Sequence, residues 1–67
     1  MDRHKVMAAV FVEEFMRMGL SPDGVMALFR NPFYTGPHSV LLLHGEEWVE
    51  GLIQQIFTGE GDPHGKG

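Results

Sequence analysis

Residues 19–23, Gly-Leu-Ser-Pro-Asp, constrain the fold most because they combine a helix stop with a helix start. Gly19 can adopt the left-handed conformation that ends a helix, and Leu20 can then contact Phe15 across the last turn. Ser21 can accept a hydrogen bond from an amide in the first turn of the next helix, where proline and an acidic residue are also favourable. The segment therefore predicts two consecutive helices joined by a short turn.

The first predicted helix spans residues 2–18, with Asp2 as its N-cap. Its large apolar side chains recur at helical spacing and form a seam that we expect to face the core: Met7, Phe11, Phe15 and Met18. A polar side is defined by Arg3, Glu13, Glu14 and Arg17. Because valine is β-branched and slightly disfavours helix, a short N-terminal strand is the alternative.

Residues 6–12 of this helix are all apolar. A helix of a small monomer needs only one apolar stripe, so a stretch that is apolar all round predicts burial on more than one side. Val6, Val10 and Val12 flank the predicted seam, and we expect Val6 and Val10 to contact a partner. Glu13 and Glu14 end the run and no cleavage-site pattern follows, which argues against a secretory signal.

Two prolines in the middle of the chain limit where helices can extend. Pro32 disfavours helical geometry at Asn31, so the second helix is expected to end near Arg30. Residues 31–38 are predicted to form a loop that carries two adjacent aromatic residues, Phe33 and Tyr34. Side chains of this size are rarely left in water without a reason, and both packing and partner contact are open interpretations.

Two more helices are predicted after the loop. Residues 40–43 are apolar and resemble a buried strand, but no second strand pattern exists to pair with them, which favours a short helix that begins at Pro37 or Ser39. Gly45 either separates this helix from the last one or lies within one continuous helix. The last helix, residues 46–58, has the clearest apolar stripe: Val49, Leu52, Ile53 and Ile56, joined by Trp48 and Phe57.

The predicted fold class is thus all-α, a small single-domain bundle of three to four short helices. Residues 1–58 form the helical domain, and Gly59 begins a glycine-rich C-terminal tail, residues 59–67, that we expect to be flexible. A 67-residue chain buries only about 60% of its unfolded surface, and the absence of cysteine excludes disulfides and thiolate zinc sites as supports. An interface with another protein chain is the remaining common way to stabilise a domain of this size.

Charge and hydropathy limit the partners. The formal net charge is -4, and after Gly45 five acidic residues face one lysine. Binding to nucleic acid needs clustered lysine and arginine, which this chain lacks. No segment has the roughly 20 apolar residues that span a bilayer, so we expect no membrane partner and a cytoplasmic location.

Histidines are the main candidates for metal chemistry. His38 and His44 are six positions apart, which does not place two ligands on one helix face. Glutamates 46, 47 and 50 lie where the dipole of the last helix already favours negative charge. A metal site of His38, His44 and a glutamate is nevertheless an alternative. A second one is a cofactor pocket lined by Phe29, Phe33, Tyr34 and Trp48.

The leading interpretation is a non-enzymatic protein–protein interaction module with no catalytic residue and no cofactor. It would act as a small accessory subunit of a larger complex or as a homodimer. The first helix and the loop of residues 31–38 would form its contact surface, with Val6, Val10, Phe33 and Tyr34 as the binding residues.

Overall fold

The computed structural model describes residues 3–59, which form four α-helices. They are α1 (Arg3–Arg17), α2 (Pro22–Arg30), α3 (Thr35–His44) and α4 (Glu46–Thr58). Each helix packs against the other three, and the described residues contain no strand. The all-α prediction is confirmed, and both strand alternatives are wrong. The Asp2 cap and residues 60–67 of the predicted tail lie outside the described residues.

The core takes side chains from all four helices. Phe29 of α2 is fully buried, and its ring lies edge-on to Phe15 of α1 with 6.4 Å between the ring centroids. The edge-to-face arrangement places the positive ring edge on the negative face of its neighbour. The hydrophobic core cluster consists of Ala8, Val12, Val25, Met26, Phe29, Val40, Leu41, Val49, Leu52 and Ile53.

The turn between α1 and α2 follows the prediction. Gly19 has a φ of +93°, and the amide of Leu20 donates to the carbonyl of Phe15 at 3.2 Å. This pattern satisfies carbonyls that the end of α1 would otherwise leave without a partner. At the start of α2, the Ser21 hydroxyl accepts from the amide of Gly24 at 3.2 Å. The helix stop and the helix start are both confirmed.

The predicted core-facing seam of α1 is wrong in part. Phe11 and Phe15 pack against the core, but Met7 and Met18 are exposed. The residues that α1 buries fully are Ala8 and Val12. The core stripe is therefore rotated toward these smaller side chains, while the ring of Phe11 lies against Gly36 of α3 and the ring of Phe15 lies against Phe29 of α2.

The predicted loop is too long, since α3 begins at Thr35 and the connection spans only residues 31–34. Asn31 closes it: its side-chain Oδ1 accepts from the amide of Phe33 at 3.0 Å, and its carbonyl accepts from the amide of Tyr34 at 3.0 Å. Pro37 lies in the first turn of α3, where a missing N–H leaves no helical hydrogen bond unmade. Proline thus fits inside the helix and does not mark its start.

Gly45 separates α3 from α4 with a φ of +92°, so the continuous-helix alternative is wrong. From Glu46 to Thr58, α4 has the predicted bounds, and it buries Val49, Leu52 and Ile53. Gly59 follows in the left-handed conformation. None of the helices in the described part of the chain has the length and hydropathy needed to cross a membrane.

Candidate interaction surface

The outer side of α1 is apolar at its middle. Val6 is 46% exposed and Val10 is 50% exposed, on the side of the helix opposite to the buried Ala8 and Val12. Both valines belong to the apolar run that predicted a partner surface. The structure places them in solvent, where a partner can reach them, and their role in binding stays a prediction.

The connection between α2 and α3 presents the two predicted aromatic residues. Phe33 is 90% exposed and Tyr34 is exposed as well. The two hydrogen bonds to Asn31 hold the backbone of this turn, so its shape does not depend on the aromatic side chains. Phe33 therefore contributes little to the core, and its apolar surface is available for contact.

Leu42 and Leu43 on α3 were missed as candidate contact residues, although they are 74% and 63% exposed. The signal was in the sequence: residues 40–43 are as continuously apolar as the run in α1, and one side of a helix cannot bury four consecutive residues. Val40 and Leu41 turn to the core and the two leucines to solvent.

The exposed apolar positions of α1 and α3 are neighbours because the two helices run antiparallel. His4 lies against His44 with 5.6 Å between the ring centroids, and Phe11 lies against Gly36. Leu43 is seven residues after Gly36, so it lies on the side of α3 that faces α1. By the same periodicity, Met7 shares a side of α1 with Phe11. Exposed apolar surface thus continues from α1 onto α3.

The two histidines of the metal alternative have separate surroundings. The Nδ1 atom of His38 lies 3.0 Å from the carbonyl oxygen of Phe29. The ring of His44 stacks on Trp48 with 4.0 Å between centroids, and its Nε2 atom is buried without a hydrogen-bond partner. Residues 3–59 hold no group of three or more histidine, aspartate or glutamate side chains that could bind a metal ion. The histidine next to His44 is His4, which sequence spacing could not indicate.

The four aromatic residues of the cofactor alternative do not share a cavity. Phe29 is in the core, Phe33 and Tyr34 are exposed to solvent, and Trp48 stacks on His44. A cavity of about 240 Å³ beside Trp48 is smaller than the roughly 300 Å³ typical of ligand sites. It is lined by Lys5, Glu47, Trp48, Gly51, Leu52 and Gln55.

Two ion pairs connect residues within the described bundle itself. The guanidinium of Arg30 donates to both carboxylate oxygens of Glu46, at 3.1 Å and 2.9 Å, and so joins the end of α2 to the start of α4. The hydrogen bond from Arg30 lowers the pKa of Glu46, and the same bond raises the pKa of Arg30. Arg17 pairs with Glu14 at 2.9 Å on α1.

No known protein family, curated protein or solved structure matches this chain.

Proposed function

We propose that this protein is a non-enzymatic protein–protein interaction module, either a small accessory subunit of a larger complex or a homodimer. Its contact surface is the outer side of α1 together with the aromatic turn that precedes α3. The observation that carries the proposal is the exposure of Val6, Val10 and Phe33 in a chain whose own core is small. Within this proposal the partner is a protein and the site of action is the cytoplasm, an assignment that the cysteine-free sequence fits.

The exposed apolar side chains provide an energetic reason for a partner to bind this surface. Each Å² of apolar surface removed from water contributes about 25 cal/mol, so these side chains stabilise a complex that covers them. Aromatic residues are also enriched in the centres of interfaces, where Phe33 and Tyr34 would supply large and rigid contact area. The side chains of Val6, Val10, Phe33 and Tyr34 provide surface for contact and carry no charged group.

The proposal is tested with two double variants of the full chain, Val6→Lys with Val10→Lys, and Phe33→Ala with Tyr34→Ala. Ala27→Lys is the control, because Ala27 is apolar and exposed but lies on α2, outside the proposed contact surface. Sedimentation velocity measures self-association, and affinity capture from the source cells measures retention of a partner. We expect each double variant to weaken the association that uses its own part of the surface, while circular dichroism shows unchanged helix content.

A chain that remains monomeric at high concentration and retains no stoichiometric partner would contradict the proposal. So would association that is indifferent to both double variants and sensitive only to the control.

A further inference from the structure

We propose that the partner of α1 is a second copy of this chain, whose α1 packs antiparallel on the outer side of the helix, with the two-fold axis midway between Val6 and Val10. In this arrangement Val6 of each copy faces Val10 of the other, and Arg3 of each copy faces Glu13 of the other. The inference rests on the proposed function and names its partner.

The outer side of α1 carries a stripe with the spacing of a helix-pairing seam. Its members follow one another at intervals of three, four, three and four residues: Arg3, Val6, Val10, Glu13 and Arg17. Alternating intervals of three and four keep side chains on one side of a helix, the pattern that lets two helices pack along their length. All five residues are exposed, so this seam is not used within the bundle.

The first four residues of the stripe, without Arg17, are arranged symmetrically about the level of Ala8. The two valines are equally distant from it on either side, and so are Arg3 and Glu13. A two-fold axis on the outer side of α1, at this level of the helix, therefore pairs apolar residues with apolar residues and positive charges with negative charges. Contacts across such an axis occur twice, since each surface meets an identical one.

Charge selects this orientation. In a parallel pair, Arg3 would face Arg3 and Glu13 would face Glu13, which are repulsive contacts at both ends of the seam. The antiparallel pair replaces them with two attractive contacts. Neither residue forms an ion pair with another residue of the described chain, whereas the neighbouring Glu14 already binds Arg17 at 2.9 Å. Both groups are therefore available for contact between copies.

The size of the surface predicts a weak dimer. The 15 residues of α1 extend over about 22 Å, and contacts of this kind lie below the roughly 1,200 Å² of a standard interface. Met7 and Leu43 enlarge the apolar area at one edge of the seam. We therefore expect association that depends on concentration, as measured by sedimentation equilibrium.

Charge reversal tests the register directly. Arg3→Glu places two glutamates opposite each other at both ends of the seam, and Glu13→Arg does the same with two arginines. We expect each single variant to self-associate roughly tenfold more weakly or worse. An equimolar mixture of the two variants restores opposite charges at both contacts, and so does the double variant. Both should dimerise like the native chain.

Glu47→Arg is the matched control for Glu13→Arg, because it makes the same charge change at an exposed position on α4. It should leave the dimer intact, and circular dichroism should show equal helix content in all variants. Recovery in the mixture and in the double variant supports the antiparallel register. A native chain that stays monomeric, or single variants that the mixture does not rescue, would overturn it. If a different protein is then retained through Val6 and Val10, the proposed function survives without the dimer.

Discussion

The ring of Phe11 occupies the space that a side chain at position 36 would need. A Cβ atom built on Gly36 would lie 2.7 Å from Cζ of Phe11, a distance that real Cβ contacts do not show. The absence of a side chain at the start of α3 therefore lets α1 and α3 approach each other at this point. The exposed apolar surface that the two helices share depends on this approach.

Replacement of Gly36 by alanine tests the contact. Alanine favours helix over glycine by about 0.5 to 1 kcal/mol, whereas overpacking a contact typically costs about 1 to 3 kcal/mol. We expect the second effect to dominate, so that Gly36→Ala lowers the free energy of unfolding by about 1 kcal/mol. Urea denaturation followed by circular dichroism measures the change.

Gly51→Ala is the matched control, since Gly51 lies inside α4 and a Cβ atom there would meet nothing within 4 Å. It should stabilise the chain by about 0.5 to 1 kcal/mol. Equal stabilisation by both substitutions would show that Phe11 does not press on position 36. Phe11→Leu should partly rescue Gly36→Ala.

The start of α2 gives a second prediction. Ser21→Ala removes the hydroxyl that accepts from the Gly24 amide, and we expect a loss of about 1 kcal/mol in the free energy of unfolding. Ser39→Ala is the comparison, because the Ser39 hydroxyl only donates to the carbonyl of Gly36 inside α3, at 2.7 Å. That variant should stay within about 0.5 kcal/mol of the native chain. Equal losses would contradict a capping role for Ser21.

Features set by neighbouring residues could be predicted from the sequence. Gly19 and Gly59 end helices because each adopts a positive φ, and Ser21 begins one because its own side chain satisfies an amide. The bounds of α4 follow from such local signals together with a regular apolar stripe. The exposure of Val6 and Val10 follows from an apolar run that no single side of a helix can bury.

Features set by distant residues could not be predicted in this way. The orientation of α1 involves the contact between Phe11 and Gly36, which are 25 positions apart. His4, near the start of the chain, lies beside His44, whose ring stacks on Trp48. The early start of α3 is a local feature that the prolines concealed: two hydrogen bonds of Asn31 complete the turn within four residues.

Phe29 and Phe33 provide a contrast between core and surface. Phe29 is fully buried, so Phe29→Ala should cost about 3 to 5 kcal/mol, enough to unfold a domain of this size. The milder Phe29→Leu should leave a folded chain with a lower melting temperature. Phe33→Ala should change stability by no more than about 0.5 kcal/mol, because Phe33 is 90% exposed. A large loss of stability from Phe33→Ala in the monomer would show that the turn packs inward.

The ion pair between Arg30 and Glu46 predicts how stability depends on pH. Its hydrogen bond lowers the pKa of Glu46 below its usual value of 4.5, so the folded state binds this proton less readily than the unfolded state. The stabilisation is therefore fully present above about pH 5 and is lost as the pH falls through the lowered pKa. Both side chains are more than half exposed, so we expect a small and salt-sensitive contribution.

Glu46→Gln should accordingly destabilise the chain at pH 7 and have a smaller effect at pH 3, because the ion pair is lost progressively as the native carboxyl is protonated. Glu47→Gln is the control, since Glu47 also lies in the first turn of α4 and shares its helix dipole but has no ion pair with another described residue. Urea unfolding at both pH values separates the stabilisation by Arg30 from the stabilisation by the helix dipole, because only the Glu46 variant loses the ion pair with Arg30. Equal pH dependence in the two variants would show that Arg30 contributes nothing to stability through Glu46.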